Sequence, residues 1–126
     1  MNKLLFVEDD PVIREVMPIL LARIGYDVTA VDSCEAGLIR VNEAHLDGAP
    51  FKIVITDGYL GPGMMGGIEF ITHLRADPEN KMVTIALFSG NNDDYHRQAM
   101  AAGANKAFRK DTGQLTAWAE SFLAEG

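Results

Sequence analysis

Five short apolar runs, alternating with five amphipathic stretches, constrain this chain more than any other feature. The runs are Leu4–Val7, Val28–Val31, Ile53–Thr56, Val83–Phe88 and a weaker Ala107–Arg109. Most are rich in β-branched or aromatic residues, as buried parallel strands are. The segments between them carry helical periodicity. Residues 11–24 place Ile13, Val16, Met17, Leu20, Leu21 and Ile24 on one stripe, with Asp10 as N-cap, Pro11 at the first helical position and Gly25 as the stop. Pro18 falls inside this segment and predicts a kink within one helix. Further helices are predicted over 34–45 behind Ser33, 67–76 before "DPEN", 92–102 before Gly103, and 113–124. In the last, Leu115, Trp118, Ala119 and Phe122 face inward. This is βα repeated five times, an α/β class with a parallel sheet covered by helices on both faces. Five strands suit an open doubly wound sheet and not a closed eight-stranded barrel.

The length of 126 residues suits one domain, taken as 1–126. A chain of this size buries roughly two-thirds of its unfolded surface, so it needs no staples. It is 48% hydrophobic and 23% charged, ordinary for a soluble globular protein. A net charge of −7 and a pI near 4.8 argue against nucleic-acid binding and against an anionic membrane surface. Cys34 is the only cysteine, which leaves neither an internal disulfide nor a Cys/His metal cluster. No run approaches the roughly 18 apolar residues of a membrane span, and the acidic start "MNKLLFVEDDP" does not read as a secretory signal. A reducing, cytoplasmic setting is expected.

In open α/β sheets the ligand site lies at the carboxyl ends of the strands. Glu8, Asp9 and Asp10 follow the first predicted strand, Asp57 the third, Ser89 and Gly90 the fourth, and Lys110 the fifth. Carboxylates gathered at one edge repel one another unless some are protonated or a cation lies between them. Hard oxygen donors with retained waters suit Mg²⁺. A lysine and a hydroxyl at the same rim can hold phosphoryl oxygens, and a carboxylate can itself be a nucleophile that becomes an aspartyl phosphate. Each residue also has a plainer reading: Asp57 as a loop cap, Glu8 and Asp9 as solvated helix-start acids, Ser89 as a turn residue, Lys110 as a surface lysine. His45, His73 and His96 fall at no strand end and read as surface or boundary residues.

The order "LLFVEDDPVIRE", "IVITDGYL", "TIALFSG", "AAGANKAFRK" resembles the receiver domain of two-component response regulators, from Lys3 to about Leu123. The resemblance implies a flavodoxin-like α/β/α fold with strand order 2-1-3-4-5. It implies Asp57 as phosphoacceptor, Asp9 as a direct ligand of Mg²⁺ or Mn²⁺, Glu8 acting directly or through water, and the Tyr59 backbone carbonyl completing the protein's share of the shell. Ser89 would meet the phosphoryl group and Lys110 would pair with it. The donor would be a histidine kinase or histidine phosphotransfer domain, and the recipient of the signal a downstream protein. Such a domain catalyses only its own modification.

Three departures from the family pattern stand out. The family commonly places proline four residues after the aspartate and a helix-opening glycine eight after. Here Gly61 holds the first place, and the matching Gly67 stands ten residues after Asp57. That is a two-residue insertion, glycine-rich and carrying Met64 and Met65, from which a mobile loop is expected. Lys110 is followed by Asp111 where the family has proline, so a trans peptide is expected and Asp111 becomes a rival partner for the ammonium. The aromatic residue usual three places before the lysine is Ala107. These departures nudge toward a rival, a phosphorylation-independent pseudo-receiver acting as an interaction module, while the intact Glu8, Asp9, Asp57 and Ser89 pull back toward an active phosphoacceptor. An aspartyl phosphatase is disfavoured because Tyr59 stands where a general-acid aspartate belongs. A flavin or nucleotide binder is disfavoured because "EDDP" repels phosphate.

Overall fold

The computed structural model describes residues 2–90 and 93–125. Five strands, β1 (Asn2–Val7), β2 (Tyr26–Val31), β3 (Ile53–Thr56), β4 (Thr84–Phe88) and β5 (Lys106–Phe108), pair in parallel in the order 2-1-3-4-5. The helices are α1 (Pro11–Arg23), α2 (Cys34–Leu46), α3 (Gly67–Ala76), α4 (Asp93–Ala102) and α5 (Thr112–Glu125). The expected architecture and strand order are therefore both present.

Alternation along each strand divides the core in two. Leu4, Phe6, Ile53, Ile55, Ala86 and Phe88 point to one side, where Met17 and Leu21 of α1 and Leu115 and Ala119 of α5 meet them. Leu5, Val7, Val54, Ile85 and Leu87 point to the other, against α2, α3 and α4. Two covered faces explain why the strands read as unbroken apolar runs. Trp118 belongs to the first side, with its ring 5.3 Å from Phe108 and 5.0 Å, edge-on, from Phe122.

The element boundaries differ from expectation by small amounts, for local reasons. Strand β2 begins two residues early because buried Tyr26 anchors it, its hydroxyl donating to Ala119 O at 2.6 Å. Strand β5 sits one residue earlier than read, and α5 begins at Thr112 because Asp111 Oδ1 accepts from Gln114 N. "DPEN" is a 3-10 turn, Pro78–Asn80, capped by Asp77 Oδ1 on Glu79 N. Helix α1 runs unbroken past Pro18 and is capped as expected, Asp10 Oδ1 accepting from Val12 N and Ile13 N. The predicted fourth helix started at Asn92, which lies outside the described residues.

One contact fixes the sheet edge where the site will lie. Gly67 opens α3 directly against the end of β3, and a methyl group built on it would stand 2.0 Å from Asp57 O. The helix can reach the strand only because this residue has no Cβ. Gly67→Ala is therefore expected to destabilise the fold by about 3 kcal/mol, the upper end of overpacking costs, in urea unfolding. Gly48→Ala, where nothing lies within 4 Å, should cost much less even though its φ of +69° also favours glycine.

Candidate functional site

All the residues expected at the strand ends arrive at one place. Glu8 follows β1 and is fully buried; Asp9 beside it is exposed. Asp57 follows β3, with its side chain 8% exposed. Ser89 follows β4 and is buried, its amide donating to Phe108 O at 3.0 Å. Lys110 follows β5 and reaches inward, its Nζ lying 3.1 Å from Asp57 Oδ2 and 3.0 Å from Glu8 Oε1. The peptide bonds of the described residues are all trans, and Asp111 is turned away to cap α5. Lys110 is thus aimed at the acids without the family's proline.

Backbone groups hold the two inner carboxylates in place. Asp57 Oδ1 accepts from Gly58 N at 2.7 Å, and Glu8 Oε2 accepts from Asp10 N at 3.2 Å. Arg14, one turn into α1, donates to Glu8 O at 3.2 Å and to Asp9 O at 3.1 Å. It clamps the acidic turn from below. Sequence reading missed Arg14; the available signal was a cation six residues after an acid that ends a strand.

The electrostatics follow from burial and crowding. Burial first, and then the neighbouring Asp57 carboxylate, push Glu8 from its usual 4.5 up to about 8, with Lys110 and the Asp10 amide offsetting part of this. Burial alone disfavours the Lys110 charge, but Glu8 and Asp57 outweigh it and leave the ammonium above its usual value. Cys34 lies behind the site, with Sγ 3.7 Å from Thr56 Oγ1. Burial pushes its thiol up to about 12, so it stays protonated.

Glu8, Asp9 and Asp57 each offer an oxygen, and these atoms lie within 4.8 Å of one another. Glu8 Oε1 is buried, with Lys110 Nζ 3.0 Å away. A set of oxygen donors that includes such an atom fits a small hard divalent cation.

The loop after Asp57 closes at its base, where Gly67 N donates to Gly58 O at 3.0 Å. Pro62 and Gly63, the latter at φ +76°, form a turn in which Met64 N donates to Gly61 O at 3.3 Å. The two methionines divide. Met65 packs on the core and its amide donates to Glu35 Oε2 at 3.3 Å, while Met64 is exposed. The Tyr59 ring is exposed, and Leu60 is buried. Of the three histidines, His73 is exposed, His45 is half-buried on Asn80 and His96 is half-buried on α4. None of them joins the site.

The family model for the response regulator receiver domain matches residues 4–118. The chain is 38% identical over 96 residues to the transcriptional regulatory protein AruR of Pseudomonas aeruginosa, covering 75% of this chain and 37% of that one. It is 34% identical over 103 residues to the two-component response regulator PhoP of the same organism, covering 82% and 42%. It therefore spans about two-fifths of the length of these curated relatives. Among solved structures, the chemotaxis protein CheY4 of Vibrio cholerae superposes with a TM-score of 0.82 at 22% identity, covering 96% of this chain and 98% of that one. A receiver domain of a Pseudomonas aeruginosa sensor histidine kinase, with a magnesium ion coordinated in its active site cleft, superposes with a TM-score of 0.77 at 24% identity over 98% of each chain.

A pH dependence follows from Glu8. Its folded value lies above its unfolded one, so the folded protein holds the proton more tightly. That stability is complete below pH 4.5 and is lost as pH rises through about 8. Urea unfolding of the metal-free protein should show a fall in stability across this window, and Glu8→Gln should flatten it.

Proposed function

The chain belongs to the response regulator receiver family of two-component systems, and on that premise we propose that Asp57 accepts a phosphoryl group from a phosphohistidine. The donor is a histidine kinase or a histidine phosphotransfer domain. The observation that carries this reading is the setting of Asp57. It is a buried carboxylate at the sheet's carboxyl edge, held by Gly58 N and Lys110 Nζ, with two further acids beside it.

An Asp57 oxygen attacks phosphorus as the phosphorus–nitrogen bond of the donor breaks, and the departing imidazole takes up a proton. The Gly58 amide fixes the rotamer of the attacking carboxylate. Lys110 Nζ, already 3.1 Å from Asp57, pairs with the oxygens of the arriving group, and the Ser89 hydroxyl donates to another of them. Glu8, Asp9, Asp57 and the Tyr59 carbonyl would hold Mg²⁺, which when bound supplies positive charge to the transferring phosphoryl oxygens. Mn²⁺ has the same ligand preferences and would serve in its place.

The domain catalyses only its own phosphorylation and dephosphorylation. The added charge biases a surface around α4, β5 and α5, and a downstream protein binds it differently. The net charge of −7 supports a protein target for this domain, with neither nucleic acid nor membrane as its direct partner. No helix of the described residues is long and apolar enough to cross a membrane, and a cytoplasmic setting fits the donor.

Intact mass after exposure to a small phosphodonor with Mg²⁺ tests the reading. One added phosphoryl group is expected in the parent, and none in Asp57→Asn or after chelation. Lys110→Ala should slow the gain by about 100-fold, the typical loss when one charge-stabilising donor is removed. A parent protein that gains no mass would instead be a phosphorylation-independent interaction module.

A further inference from the structure

A side chain of α4 that sequence reading passed over lies against the site. Gly58 follows Asp57 directly, and the space over its Cα is shared. A methyl group built there would lie 2.9 Å from Ser89 Oγ and 3.4 Å from Cδ2 of Tyr95. Tyr95 stands in the first turn of α4 and packs against the core on that face of the sheet. The ring edge of an α4 residue and the hydroxyl of the site therefore fill one small volume beside the phosphoacceptor.

Helix α4 itself is lightly held. Among the described residues its one buried member is Ala99, whereas α3 buries Gly67, Phe70, Ile71 and Leu74. Beside it, toward β5, lies a groove of about 450 Å³ lined by His96, Arg97, Met100, Lys106 and Ala107. The short side chain of Ala107 leaves this space open. A helix with few buried contacts, next to unfilled volume, can shift at little cost.

We propose that Tyr95 is the positioning residue that couples Ser89 to α4. When the Ser89 hydroxyl turns toward a phosphoryl oxygen on Asp57, the space over Gly58 changes. The Tyr95 ring re-seats in it and carries the first turn of α4 along the groove beside Ala107. This rests on the phosphoacceptor reading and adds to it the residue that transmits the signal. The contact over Gly58 is made by the ring edge.

Fluorine NMR of 3-fluorotyrosine-labelled protein tests this, since the chain has only Tyr26, Tyr59 and Tyr95. Tyr95→Phe identifies the Tyr95 signal by its loss. With phosphodonor and Mg²⁺, that signal should move while the buried Tyr26 signal stays. Amide shifts across α4 should appear in the parent and in Tyr95→Phe. In Tyr95→Leu they should fall to the level of Asp57→Asn, although the mass still shows one added phosphoryl group. Ser89→Thr, without any phosphodonor, should also move the Tyr95 signal if the two side chains share this volume. A mass gain with a stationary Tyr95 signal overturns the inference and leaves the phosphoacceptor reading standing. So does a full α4 response in Tyr95→Leu, or an unmoved Tyr95 signal in Ser89→Thr. Absence of any mass gain in the parent overturns both.

Discussion

Three carboxylates and one ammonium share the carboxyl edge of this sheet, and the rest of the structure serves to hold them there. Glu8 and Asp57 are buried beside each other, a juxtaposition that costs free energy in any protein. It is sustained by Lys110 within 3.1 Å of both, by the Gly58 and Asp10 amides, and by the grip of Arg14 on the turn that carries Glu8. None of these partners is local to Asp57 except Gly58. They come from β1, α1 and the end of β5, so the site exists only when the sheet has its full order.

The same arrangement makes the resting site responsive. Lys110 neutralises charge that a divalent cation would neutralise better, and Glu8 holds a proton far more tightly than an exposed glutamate does. A cation entering among Glu8, Asp9 and Asp57 would displace that proton and release Lys110 from part of its task. The crowding that destabilises the metal-free site favours a cation among the three carboxylate oxygens.

Much of this was legible from the chain. Unbroken apolar runs give away strands covered on both faces, and Glu8, Asp9, Asp57, Ser89 and Lys110 stand just after them. What periodicity does not encode is contact across the fold. The Arg14 side chain meets the backbone of Glu8 and Asp9 through the geometry of a tight βα turn. Tyr95 meets the site only because the first turn of α4 brings its ring edge over Gly58. Residue types alone made Asp111 a rival for Lys110; the structure gives it to the α5 cap instead. Met64 and Met65 were indistinguishable as a pair, and the turn at Pro62–Gly63 sends one out and the other in.

The hydrogen bond from Gly67 to Gly58, together with the bare Cα of Gly67 against Asp57 O, has a consequence for how such a domain diversifies. It pinches the chain shut on both sides of residues 59–66. The segment above the pinch can lengthen, shorten or change composition without moving the strand end below it. Two added residues therefore alter the outer surface of the loop and leave the acid at its base where it was. The neck separates the outer loop from the strand end, and each can vary on its own.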